Sequence, residues 1–174
     1  MTMFGVQLAQ SKGAGLQKTS EYVEELSRLP DEIDHVIKTH MKDIKRAAKK
    51  YAPHEHALFL GRDTLFPVAL EGALKLKEIS YIQAEGYATG ELKHGPIALI
   101  DDRFFEVMLI MEGWLFEKSI SGLSEINARG GHVLAITNSK KDIDAEVVIR
   151  IDTSLTLLAP IVLNVVQQLF AYYV

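Results

Sequence analysis

His56 to Ser80 runs HALFLGRDTLFPVALEGALKLKEIS, and the two halves of that stretch obey different periods. His56-Ala57-Leu58-Phe59-Leu60 is a short, unbroken apolar run, as a strand covered on both faces requires, whereas Pro67 to Ser80 spaces its polar residues as a helix does. A strand, a short loop and a helix in that order open a parallel α/β unit.

Outward from this unit the alternation repeats. Glu106-Val107-Met108-Leu109-Ile110-Met111, His132-Val133-Leu134-Ala135-Ile136-Thr137 and Glu146-Val147-Val148-Ile149-Arg150-Ile151 are further apolar runs, with a helix expected from Leu115 to Arg129. Four buried strands alternating with helices predict an α/β fold: a doubly wound parallel sheet flanked by helices, with ligands binding beyond the carboxyl ends of its strands. Leu157 to Val174 reads as an apolar helix. Its Gln167-Gln168 pair, set among Val165, Val166, Leu169 and Phe170, predicts burial on two sides, either at an interface or over the sheet.

The chain up to about Ala52 reads as three helices. They are Met3 to Lys12 ending at Gly13-Ala14-Gly15, Thr19 to Leu29 behind a Thr19/Ser20 cap, and Pro30 to Tyr51 with Pro30 near its first turn. Ile33, Val36, Ile37, Met41 and Ile44 recur at threes and fours, which gives the last of these one buried stripe. The organisation expected is a helical N-terminal extension, 1–52, followed by the α/β domain, 53–174.

Within the helix of the opening unit, Glu71, Lys75 and Glu78 are spaced i, i+4 and i+7 and share one face. Gly90-Glu91-Leu92-Lys93-His94-Gly95-Pro96 follows, a short polar helix with Gly95 as a left-handed exit and Pro96 barring continuation. That ending puts the His94 imidazole beside free carbonyls that attract a cation. Two carboxylates, a lysine and a histidine so close together can move protons on a sugar. The same stripe also serves an ordinary solvated helix, and His94 can be a plain cap; the residues alone leave both readings open.

Other candidates are weaker. The loop Gly61-Arg62-Asp63-Thr64-Leu65-Phe66-Pro67 joins a strand end to a helix N-terminus, which attracts anions, but Asp63 repels them and Thr64 is explained as a helix cap. Asn138-Ser139-Lys140-Lys141 follows another strand in the same way. Both are expected to be ordinary connections. His54-Glu55-His56 would set two imidazoles on one side of an extended segment, yet no third metal ligand stands at a useful spacing. No metal site is expected.

Composition narrows the class. A chain of 174 residues, 48% hydrophobic, can bury roughly 70% of its unfolded surface in one core. It has no cysteine, which removes thiolate chemistry and disulfides and fits a reducing compartment. No apolar run reaches the roughly 20 residues of a membrane span, and no signal peptide is apparent, so a cytoplasmic protein with no membrane partner is expected. The net charge of -4 argues against nucleic acid as a partner, and the basic run Lys42 to Lys50 is read as a solvated face.

The words Phe59-Leu60-Gly61-Arg62, Pro67 to Glu78, Ala84-Glu85-Gly86-Tyr87 and Gly90 to Leu99 resemble the second sugar-isomerase (SIS) domain of the glucosamine-6-phosphate synthases, or glutamine:fructose-6-phosphate aminotransferases. Weaker similarity continues through Ile126-Asn127-Ala128-Arg129-Gly130-Gly131 to the last helix. The resemblance implies an SIS domain acting on fructose 6-phosphate, without cofactor, in amino-sugar biosynthesis. Glu78 then matches the carboxylate that shuttles a proton between C1 and C2. His94 matches the histidine that assists ring opening from the neighbouring subunit of a homodimer. Lys75 matches a basic residue beside the reacting carbons, and Glu71, on the same face, is a substrate-binding candidate.

The family's glutaminase domain, with its cysteine nucleophile, has no counterpart here. Its first, phosphate-holding SIS domain is matched only by Met3 to Gly13, and its C-terminal tail, with a Schiff-base lysine, lies beyond Val174. The resemblance therefore implies a part of the transaminase that is not active alone and that binds fructose 6-phosphate or glucosamine 6-phosphate beside those other domains. A sugar-phosphate-binding regulatory module and a structural dimerisation domain are the alternatives. Phe105-Glu106 departs from the family, which has an apolar strand start with proline there.

Overall fold

The computed structural model describes residues 2–13 and 16–174. Within these residues five strands form one parallel sheet: β1 (His56–Gly61), β2 (Gln83–Ala88), β3 (Phe104–Ile110), β4 (Val133–Thr137) and β5 (Val147–Arg150). Their order is β2-β1-β3-β4-β5. Among the described residues five helices accompany them: α1 (Thr2–Ser11), α2 (Leu16–Tyr51), α3 (Leu65–Ser80), α4 (Phe116–Asn127) and α5 (Ala159–Tyr173). Two 3₁₀ turns, Thr89–His94 and Pro96–Leu99, connect β2 to β3.

The sheet separates two cores, as the period of two along each strand demands. Ala57, Phe59, Phe105, Val107, Leu109, Leu134 and Ile136 face α2, α3 and α5. Leu58, Leu60, Met108, Ile110, Val133 and Ala135 face α4 and Leu92 of the first 3₁₀ turn. Helices therefore lie on both faces, as expected. Because α3 and α4 take opposite faces, the chain first steps from β1 outward to β2 and then builds β3, β4 and β5 on the other side of β1.

Three expectations need correction. β2 was not among the four strands read from the sequence; Gln83-Ala84-Glu85-Gly86-Tyr87-Ala88 is an edge strand with one neighbour and only Ala84 fully buried. Residues 19–51 lie in one helix, with Pro30 inside it. Pro30 removes one backbone donor, but apolar contacts on both sides of it, from Tyr22, Leu26 and Leu29 and then Val36, Ile44, Ala47, Ala48 and Tyr51, hold α2 against the core. Thr19 and Ser20 are accordingly inside α2, with Thr19 taking a bond from Gln10 of α1 at 3.3 Å. Ala14 and Gly15 of the expected stop after α1 lie outside the described residues.

α5 is a sheet-covering helix, packed between α2 and α3. The segment leading into its N-terminus is tied down from a distance. The Glu25 carboxylate on α2 accepts the backbone N–H groups of Thr156 (2.9 Å), Leu157 (3.1 Å) and Leu158 (2.8 Å). Burial raises the Glu25 carboxyl, but the three N–H bonds together outweigh it and hold the group below its ordinary value.

Candidate functional site

Glycines set α3 in place. A Cβ at Gly61 would come within 2.5 Å of the Leu65 carbonyl carbon, so only glycine lets β1 turn directly into α3. The first turn of α3 is closed by backbone alone, Leu65 N–H to Arg62 O at 2.9 Å and Phe66 N–H to Asp63 O at 3.0 Å. Thr64 occupies the cap position but makes no side-chain cap bond, contrary to expectation. On the inner side Leu65, Ala69, Gly72, Ala73 and Leu76 are buried. Gly72 lets α5 approach: a Cβ there would be 2.5 Å from Gln167 Cδ and 2.7 Å from Phe59 Cδ1. Gln167, fully buried as its sequence context predicts, donates to Val68 O and to Asn164 Oδ1.

The outer side of α3 carries the stripe, and the expected grouping is realised. Lys75 Nζ lies 2.6 Å from Glu78 Oε2 and 3.9 Å from Glu71 Oε1. The hydrogen bond to Glu78, opposed by partial burial and helped by the charges of Glu78 and Glu71, raises the Lys75 ammonium above its ordinary value. All three side chains remain open to solvent, which gives a carboxylate, an ammonium and a second carboxylate on one accessible face. Leu70 and Leu74, each more than two-fifths exposed, flank it.

His94 stands elsewhere. It ends the first 3₁₀ turn, anchored by buried Thr89 and Leu92, and is itself exposed. No hydrogen bond or ion pair ties it to Glu78 or to any other described residue. Gly95 leaves the turn at φ 148, ψ -56, outside the left-handed helical exit expected, and Pro96 starts a second 3₁₀ turn where a break was expected. Both conformations suit their residues: the φ of Gly95 excludes side chains, and proline tolerates a first helical position.

The strand order reverses between β1 and β3, and there the loop 61–67 meets Met111-Glu112-Gly113-Trp114-Leu115 around a cleft of about 80 Å³. From sequence that loop reads as an ordinary connection, because the switch point exists only once β2 is in place. Glu112 in this cleft is engaged by Ser139 and by Lys141 at 3.2 Å, which ties down the loop 138–141. A larger gap of about 500 Å³ opens between α2 at Arg28, Asp31, Glu32 and His35 and the connection 152–154, but none of the residues quoted for the resemblance lines it.

Among the described residues no cluster of three or more histidines and acids could hold a metal. His54 and His56 do not share a side. His54 bonds Tyr51 O at 3.0 Å and packs on Phe105, whereas His56 stacks on Phe104, and those two phenylalanines point to opposite faces of β3. No helix among the described residues is long and apolar enough to cross a membrane.

Comparison with known proteins bears on this geometry. Glutamine–fructose-6-phosphate aminotransferase (isomerizing) from Thermus thermophilus is 44% identical over 176 residues, covering 99% of this chain and 29% of that protein. The protein of the same name from Methanosarcina mazei is 43% identical over 155 residues, covering 87% and 25%. The chain thus spans between a quarter and a third of the length of these curated relatives. The solved C-terminal domain of glucosamine-fructose-6-phosphate aminotransferase from Francisella tularensis superposes with a TM-score of 0.90 at 35% identity, over 98% of this chain and 49% of that one. The SIS domain model matches residues 50–174, taking in the whole sheet, α3 with its stripe and the turn bearing His94, and the chain belongs to the SIS domain family.

Proposed function

We propose that this chain is the isomerase-region SIS domain of a glutamine:fructose-6-phosphate aminotransferase, a cytoplasmic homodimer that converts fructose 6-phosphate to glucosamine 6-phosphate. Residues 1–52 are its helical extension and 53–174 the SIS domain itself. The observation that carries the reading is the 2.6 Å pair of Lys75 and Glu78, with Glu71 beside it, on the solvent face of a helix whose sequence matches relatives of that name.

The chemistry follows from the pair. Glu78, which accepts a hydrogen bond from the Lys75 ammonium, presents its carboxyl oxygens to take a proton from the sugar's C1 or C2. As Glu78 receives the proton, Lys75 loses its partner and its charge becomes available to the oxygen on which negative charge develops. Glu71 keeps the ammonium protonated and in place, and orients a substrate hydroxyl. His94, free of partners among the described residues, is presented to a second subunit, where it assists ring opening. The sugar phosphate itself is held by the other domains of the full enzyme.

Placing this chain in the Thermus relative, in exchange for the segment it matches, tests the reading. Glucosamine 6-phosphate should form, and Glu78→Gln in the chimera should abolish solvent-deuterium exchange at C1 of fructose 6-phosphate while leaving the sugar bound. A chimera that binds the sugar, but exchanges equally well with Glu78→Gln, removes Glu78 from the reaction.

A further inference from the structure

Glu106 takes no part in the site above, and its surroundings are unlike those of any other carboxylate described. It stands on β3 between Leu58 of β1 and Val133 of β4, on the face shared with Met108 and Ile110, and is 0% exposed. Neither carboxylate oxygen has a hydrogen-bond partner. The nearest donors are the backbone N–H groups of His132 and of Glu106 itself, and the latter is already given to the His132 carbonyl at 3.0 Å. Gly131 forms the wall against Oε2: a Cβ there would stand 2.8 Å from that oxygen, with Ile126 of α4 and Ile100 closing on the same spot.

The charged groups acting on Glu106 are both negative. Asp101, in the turn before β3, is held by Arg103 at 2.7 Å. Glu146, just before β5, is held by Lys50 (2.8 Å) and Tyr51 (3.2 Å) of α2 and by His132 (3.5 Å), whose ring packs on His54. β1 and α4 present only Leu58 and Ile126. Burial first, then Asp101 and Glu146, push the Glu106 carboxyl up to about 7 against the pull of the two backbone N–H groups. An unpartnered carboxylate is expensive in such a place, and a neutral acid much less so.

We propose that Glu106 is a proton-operated latch on the amino edge of the sheet: protonated, it packs beneath the turn 128–132, and on ionising it opens that turn to reach water. The turn is the thin wall. Gly131, packed on the carboxyl, is only partly buried, and the preceding Gly130 is exposed and sits at φ 76. Opening also breaks the bond from Glu106 N–H to His132 O.

Linkage sets the direction and the window. The opened carboxyl titrates near its ordinary 4.5 and the closed one near 7. Opening therefore becomes about tenfold easier for each pH unit between those values and levels off above the upper one. The amino edge tightens in mild acid and loosens by neutrality, while α3, on the other face of the sheet, has no part in it.

Carboxyl-carbon NMR of Glu106 in the intact chain, with amide exchange at Glu106, Gly131 and His132 corrected for the intrinsic effect of pH, tests this. A midpoint near 7 is expected, with protection at these amides falling about tenfold per unit from pH 5 to 7. Glu106→Gln should give a flat profile, and Glu106→Leu the same should the glutamine variant not fold. A midpoint below about 5, or a fall in protection that the variants share, overturns the proposal.

Discussion

Lys75 stands between two carboxylates on α3, but it is bonded to one: its ammonium is 2.6 Å from Glu78 and 3.9 Å from Glu71. The difference makes the stripe asymmetric. Glu78→Gln should return the Lys75 ammonium toward its ordinary range, read from its side-chain carbon shifts against pH, and Glu71→Gln should move it less. Equal effects would mean that Lys75 is shared rather than committed. Neither variant should shift the urea midpoint measurably, because exposed pairs contribute little to folding.

Glu25 is the opposite case, a carboxylate whose whole role is structural. Glu25→Gln leaves the amides of Thr156, Leu157 and Leu158 with a weaker acceptor and should destabilise the chain by about 2–3 kcal/mol at neutral pH. The folded value is depressed, so the stability that Glu25 supplies is fully present above the ordinary carboxyl value of 4.5 and is lost as pH falls through the lower folded value. Urea unfolding at a series of pH values should show the two proteins separated from pH 7 down to about 5 and converging below.

Two glycines of the opening unit should fail for different reasons. At Gly61 an added methyl meets the Leu65 backbone, which cannot yield without moving the start of α3. At Gly72 it meets the Gln167 amide and the Phe59 ring, and overpacking of this kind typically costs about 1–3 kcal/mol. Gly72→Ala should be partly rescued by Gln167→Ala, which vacates the space, whereas Gly61→Ala should have no single-site rescue. A thermal-melt series of these variants decides the matter; failure of the double variant to recover would place the strain at Phe59.

β1, β3 and β4 were legible because each is an apolar run covered on both faces, so burial writes the strand directly into composition; β5, the other edge strand with only Ile149 fully buried, was legible from its run of β-branched residues, Val147-Val148-Ile149. β2 was not, since an edge strand with Glu85 and Gly86 at its centre needs neither an apolar run nor alternation. The stripe of Glu71, Lys75 and Glu78 could be read from helical spacing alone. The switch-point cleft at Arg62 and Trp114 could not, because it depends on where β2 lies. Pro30 misled for a related reason: local preference says stop, while Leu26 and Leu29 on one side and Val36 on the other keep the helix seated on the core.

Gly95 offers a test of how the turn bearing His94 is held. Its φ of 148 with ψ of -56 lies where side chains are strained, yet no atom comes within 4 Å of an added Cβ. The penalty of Gly95→Ala is therefore conformational, about 1–3 kcal/mol, and falls on the junction between the two 3₁₀ turns. The sheet and α3 should be undisturbed. Amide shifts should change for residues 92–98 and not for 71–78, and under the proposed reading His94 should be displaced, so that the chimera loses ring opening while still exchanging the C1 proton of an open-chain sugar analogue. Shift changes spreading into α3 would instead mean that the turn and the face bearing Glu78 are one mechanical unit.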